Sequence, residues 1–346
     1  MAANPAPRIY SDPRPDWLAL HEEEPLDSSR PIIDPHHHLW DRPGDRYLFE
    51  QTLEDMTSGH NVVASVHVEC HSMYRADGPE AFRPVGEIEF VNGIAARSAS
   101  GAYGPIRMCA GIVGHADLTL GDRVQAVLEA EIAAGDGRFR GIRHSAAWDA
   151  DTAVASIYPL KPRGLMASTA FRDGFARLAP LGLSFDAWLF QPQIDELADL
   201  AGRFPETPIV LNHCGGPIGV GSYRDRRDEV FKLWKAAIEA LGQYPNVFIK
   251  LGGLAMRLFG LDFEDRPAPP SSAELASAWR AHIETCIEAL GPDRCMFESN
   301  FPPDKGQCSY LTLFNAFKRI TDQYGEDEKT ALFSGTAARF YRLDPV

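Results

Sequence analysis

From Pro31 onward, eight short β-branched runs alternate with longer Ala/Leu-rich stretches, and this alternation constrains the fold more than any other feature. The runs cover residues 32–36, 62–68, 106–113, 141–144, 183–190, 208–212, 247–251 and 295–297. Several are continuously apolar, as expected of parallel strands buried on both faces. Between them, residues 118–134, 169–181, 194–204, 224–241, 272–290 and 326–333 space their apolar residues as helices do. Gly182 supplies a stop for the second of these. Eight strand–helix units with right-handed crossovers close naturally into a (β/α)8 TIM barrel of the α/β class. Without a repeat or low-complexity linker, residues 31–346 read as one barrel rather than two domains. Residues 1–30 hold Pro5, Pro7, Pro13, Pro15 and Pro25 and read as an extended arm without helix or strand. Stretches 71–90 and 256–271 read as irregular insertions serving as lids or dimer contacts.

The chain of 346 residues carries 34 Lys+Arg against 48 Asp+Glu, a net charge of −14. That balance argues against nucleic-acid and anionic-membrane partners, which need clustered cations. Six scattered cysteines form no C-x-x-C pair, so neither a zinc ribbon nor a dithiol redox motif is supported. The start lacks the apolar core of a signal peptide, and no apolar run reaches the ~18 residues that span a bilayer. The expectation is a soluble cytoplasmic protein that forms a homo-oligomer and acts on a small molecule.

Three segments at strand ends hold chemistry. Ile33-Asp34-Pro35-His36-His37-His38-Leu39-Trp40-Asp41 ends the first strand. Alternate residues of a strand face one way, so His36 and His38 project together and His37 away. Two imidazoles at a barrel's catalytic end can share a divalent metal. Leu211-Asn212-His213-Cys214-Gly215-Gly216 ends the sixth strand and offers His213 as a third ligand or a carbonyl polariser. Cys295-Met296-Phe297-Glu298-Ser299-Asn300-Phe301-Pro302 ends the eighth. Glu298 is costly to bury there unless it is metal-bound or paired, for example with Arg294 or Arg339.

These motifs, with the closing Gly335-Thr336-Ala337-Ala338-Arg339-Phe340-Tyr341, resemble the amidohydrolase superfamily. The similarity is to its amidohydrolase-2 group, which includes lactonases, and it covers residues 31–346. The resemblance implies that His36 and His38 are first-strand metal ligands and His213 the later one. The family's last strand offers an Asp that binds metal and takes a proton from the attacking water. Asn300 occupies that position, and an amide is a poor base and a weak ligand.

Glu69, at the end of Val66-His67-Val68-Glu69-Cys70, and Glu298 are the carboxylates that could substitute. The expected ligand set is therefore His36, His38, Glu69, His213, Glu298 and Asn300. It suits Zn, Fe or Mn and is large enough for a dinuclear centre. Glu298, Asn300 and His213 are the expected catalytic residues. Arg143 in Gly141-Ile142-Arg143-His144 resembles the group's carboxylate-gripping Arg, with His144, Tyr74, Arg75 and Lys250 as further substrate contacts. Glu87 and Trp188 read as a surface ion pair and a core residue. Three functions follow in order. The first is a metal-dependent hydrolase of a lactone, ester or amide of a small organic acid. The second is a dinuclear non-haem iron (Fe/Fe or Fe/Mn) oxygenase, and the third a non-catalytic binding barrel.

Overall fold

A computed structural model describes residues 8–343, so the ends of the expected arm and barrel lie outside the described residues. In chain order the strands are β1 (Pro31–His37), β2 (Trp40–Arg42), β3 (Asp45–Tyr47), β4 (Asn61–Val68), β5 (Arg107–Gly114), β6 (Phe139–Arg143), β7 (Ser184–Ala187), β8 (Ile209–Leu211), β9 (Val247–Leu251) and β10 (Cys295–Phe297). β2 and β3 form a small antiparallel hairpin, and the other eight form one parallel sheet in the order β1-β4-β5-β6-β7-β8-β9-β10. All eight fall on the runs read from the sequence. The first and last strands meet beyond β10, where Asn300 N donates to His36 O at 2.9 Å and His38 N to Phe301 O at 2.8 Å. The sheet thus rolls into a nearly closed (β/α)8 barrel.

Val66, Val68, Val113, Val210 and Met296, from four strands, pack as one buried cluster, which places them inside the barrel. The opposite strand faces pack against the helices, as Ile112, Phe185 and Ile249 do with Leu128, Leu197 and Trp279. All six cysteines are buried and free. No helix among the described residues is long and apolar enough to cross a membrane.

Beyond the hairpin and the helices Phe49–Met56, Thr152–Ile157 and Tyr310–Ile320, none of them read from the sequence, two departures bear on the site. Pro15–Leu18 is a one-turn helix inside the arm. Pro at the first helical positions costs nothing, because those N–H groups have no intrahelical partner. The arm lies along the barrel: Trp17 Nε1 donates to Arg266 O at 2.9 Å and Arg257 N to Ile9 O at 2.8 Å. Secondly, the stretch 71–90 is irregular only as far as Pro84, after which Val85–Ala99 is a helix. Gly86 and Gly93 mask its periodicity. Gly86 is needed because a Cβ there would meet Met73 O at 2.5 Å.

Candidate active site

β1 brings His36 to the barrel interior, fully buried, and β10 sets Glu298 opposite it. His36 Nδ1 lies 2.7 Å from Glu298 Oε2. The approach is off the line of a hydrogen bond, so that buried oxygen accepts none. Glu298 Oε1 accepts from the backbone N of His213 at 3.0 Å and from its Nδ1 at 2.7 Å. The chain enters the left-handed region at His213 (φ 55°) directly after β8, which turns its ring into the mouth. Gly253 (φ 67°) leaves room for that ring, since a Cβ there would sit 2.5 Å from His213 Cβ and Cγ.

His36, His213 and Glu298 thus place one ligand atom each within 4.8 Å of one another. Burial, reinforced by the Lys250 charge, holds His36 well below the usual histidine range, and burial lowers His213 too. Neutral imidazoles keep a lone pair for a metal. Two cations stand close: Lys250 Nζ is 3.3 Å from His36 Nδ1 and Arg143 Nη1 3.3 Å from its Nε2. Each is balanced elsewhere, Lys250 by Asp186 at 2.6 Å and Arg143 by Glu69 at 2.7 Å. An imidazole pair with a carboxylate, one oxygen of it without a hydrogen bond, fits a divalent ion such as zinc.

The other expected ligands take different positions. His38 lies edge-on to His36, ring centroids 4.9 Å apart. Its Nδ1 donates to Val68 O at 2.8 Å, leaving the Nε2 lone pair on the cavity side. Glu69 is tied to Arg143. Burial alone would raise its carboxyl, but the guanidinium outweighs that and lowers it. Asn300 faces Asp304, donating Nδ2 to Oδ1 at 2.8 Å. An Asp at 300 would press two carboxyl groups together there, so the amide suits its neighbour. The six-ligand arrangement is not assembled; three donors converge.

Above them opens a cavity of about 360 Å3 whose lining includes His38, Trp40, Arg143, Trp188, His213 and Asn300. Arg8, Arg42 and Lys161 complete a lining of four cations with no carboxylate among the described residues. The arm contributes Arg8, Ile9 and Tyr10, with Tyr10 stacked on Trp40 at 5.7 Å. Of the expected substrate contacts, Arg143 lines this cavity, although its guanidinium is already held by Glu69 and His36. His144 and Tyr74 line an adjoining cavity of about 700 Å3 that shares His71 and Lys161. Arg75 pairs with Glu89 at the surface, and Lys250 is buried in the floor. Arg294 and Arg339, the alternative partners for Glu298, go to backbone carbonyls and to Asp293. Glu87 is buried, which overturns its reading as a surface pair. Trp188 meets His213 edge-on at 4.9 Å, so it serves the site as well as the core.

Sequence reasoning missed Arg42, Lys161 and Tyr10. Arg42 is four residues beyond His38, which could have signalled it. Lys161 and Tyr10 lie in Pro-flanked loop and arm segments without periodicity.

The Amidohydrolase (Amidohydro_2) family model matches residues 33–343. The chain belongs to the amidohydrolase family. It is 34% identical over 334 residues to "Uncharacterized protein y4mH" of Sinorhizobium fredii, covering 90% of this chain and 98% of that one. It is 27% identical over 247 residues to an L-fucono-1,5-lactonase of Burkholderia multivorans, covering 68% and 72% respectively. An amidohydrolase of Burkholderia multivorans solved with bound zinc shares the fold, with a TM-score of 0.67 at 24% identity over 90% of this chain and 99% of that one.

Proposed function

We propose that this amidohydrolase is a metal-dependent hydrolase that opens a lactone, or cleaves an ester or amide, of a small organic acid. The observation that carries the reading is a cavity lined by His213 and four cations, with no carboxylate among its described lining residues; Arg8 and Arg143 are ion-paired behind it, and Arg42 and Lys161 stand without an ion pair among the described residues, in a chain of net charge −14. Such a lining draws in an anionic substrate. The family and its lactonase relatives support hydrolysis. The dinuclear oxygenase reading needs a second ion, and Glu69 and Asn300, which would help to hold it, are engaged with Arg143 and Asp304.

His36, His213 and Glu298 would hold the metal. Bound there, it would polarise a carbonyl and lower the pKa of a water. Glu298 fixes the His213 ring by accepting from its Nδ1. His38, whose Nδ1 donates to Val68 O, presents the lone pair of Nε2 to the cavity and is the group placed to take a proton there. Lys161 lacks a side-chain hydrogen bond among the described residues and is free to meet a substrate carboxylate. Trp40, Trp188 and Tyr158 exclude water around it.

The test is a panel of lactones, with and without a carboxylate, followed by proton release in oxygen-18 water. The expected result is turnover of the anionic members, with the solvent label in the product. Oxygen consumption, or a preference for uncharged lactones, would overturn the reading.

A further inference from the structure

A second cluster of metal-ligating groups lies behind the catalytic mouth. His67 alternates with Val66 and Val68, which point into the barrel, so its ring is on the outer face of β4. The helix Val85–Ala99 crosses that face and buries Glu87 against it. Cys70, two residues past the strand, completes the group. His67 Nε2 is 3.5 Å from Glu87 Oε1, and Cys70 Sγ is 3.3 Å from the same oxygen. The three ligand atoms all lie within 4.8 Å.

Two observations show that this packing is incomplete as it stands. Neither nitrogen of the fully buried His67 has a hydrogen-bond partner, and Glu87 Oε2 has none. Nearby Glu131, also fully buried, has both carboxyl oxygens unpartnered. No Lys or Arg forms an ion pair with Glu87 or Glu131 among the described residues. Buried carboxyl groups and imidazoles are ordinarily satisfied, and a group left bare marks a missing partner. A cation would answer the bare His67 nitrogen and the Glu87 carboxylate together.

We propose that His67, Cys70 and Glu87 form a second metal site, distinct from the catalytic one, that takes a zinc-like divalent ion. For tetrahedral zinc the ligand lengths place nitrogen and oxygen about 3.4 Å apart, and sulfur and oxygen about 3.6 Å apart. The observed 3.5 and 3.3 Å match these within a few tenths of an ångström. One imidazole, one thiolate and one carboxylate leave a fourth position open. Binding replaces the Cys70 thiol proton, which leaves to solvent. Cys70 also borders the catalytic cavity, which gives the ion an entry route. Bound there, the ion would pin β4 to the helix over it and fix the strand end from which Glu69 orients Arg143.

Cobalt(II) is the probe. A thiolate on cobalt gives an intense near-ultraviolet charge-transfer band that imidazole and carboxylate ligands do not. Full-length protein freed of metal and loaded with cobalt should show this band. The band should vanish in Cys70→Ser, weaken at least tenfold in affinity in Glu87→Gln, and persist in Cys214→Ser, whose cysteine neighbours the catalytic ligand His213. Bound zinc should fall by one equivalent per chain in Cys70→Ser. Absence of the band in the wild-type protein, or its survival in Cys70→Ser, would overturn the proposal. Loss of catalytic metal alone, as in His213→Ala, should leave the band unchanged, which separates the two sites.

Discussion

Glu298 Oε2 and His36 Nδ1 lie 2.7 Å apart, both buried, without a hydrogen bond between them. The other oxygen of the same carboxylate receives two hydrogen bonds from His213. One carboxylate therefore links two imidazoles from opposite sides of the barrel closure. Replacing it by an amide of equal size tests that link. Glu298→Gln should lower zinc affinity at least about 100-fold while keeping the fold. Zinc titration beside circular dichroism checks this.

Lys161 is the cation of the cavity free to bind substrate. Lys161→Met should raise KM for a carboxylate-bearing substrate about 10–100-fold, roughly 1.5–3 kcal/mol, and leave kcat nearly unchanged. Steady-state kinetics on an anionic and a neutral lactone separates these effects, since the neutral substrate should be indifferent.

Under the site, Lys250 and Asp186 form an ion pair at 2.6 Å with both side chains fully buried. Asp186 also accepts from Tyr341 at 3.0 Å and Asn212 at 3.1 Å. Lys250→Met would strand that carboxylate and should cost about 3–5 kcal/mol of stability. Lys250→Met with Asp186→Asn should recover part of the loss. Urea denaturation of both variants is the measurement.

His282 packs between Phe231, Trp234 and Phe259, with ring centroids 4.6–4.9 Å away. Burial lowers it from 6.5 to about 4, with the Arg227 charge adding to the effect. Above pH 6.5 both folded and unfolded chains hold it neutral, and it exerts no pH effect. As pH falls from 6.5 to about 4, only the unfolded chain gains the proton, so stability is lost at about 1.4 kcal/mol per pH unit. His282→Phe should therefore gain on the wild type through that window, by about 3 kcal/mol at its lower end. Equal pH dependence of the two denaturation curves would rule this out.

The barrel was legible because strand runs such as Ile209–Leu211 and Cys295–Phe297 are buried on both faces, and that leaves a continuous apolar signature. Strand alternation alone sets His36 beside His38 and excludes His37, but the convergence of His36 with His213 and Glu298 arises only where three strand ends meet in the closed barrel. The fate of Glu69 was not: its engagement with Arg143 depends on side chains from β4 and β6 meeting across β5, which no local pattern encodes. The helix Val85–Ala99 was hidden by Gly86 and Gly93, and with it the burial of Glu87. The arm's part in the cavity depends on Tyr10 meeting Trp40, a contact set by the loop at 256–271 rather than by the arm's own composition.

Dependence of the hydrolysis on the His36, His213 and Glu298 site is read most directly from protein stripped of metal and then titrated with zinc. Negligible turnover of an anionic lactone is expected at the start, with a rise to saturation in the wild type and no rise in His213→Ala; this is the outcome that metal-dependent hydrolysis requires. Full turnover by the stripped protein, or equal recovery in His213→Ala, would contradict it.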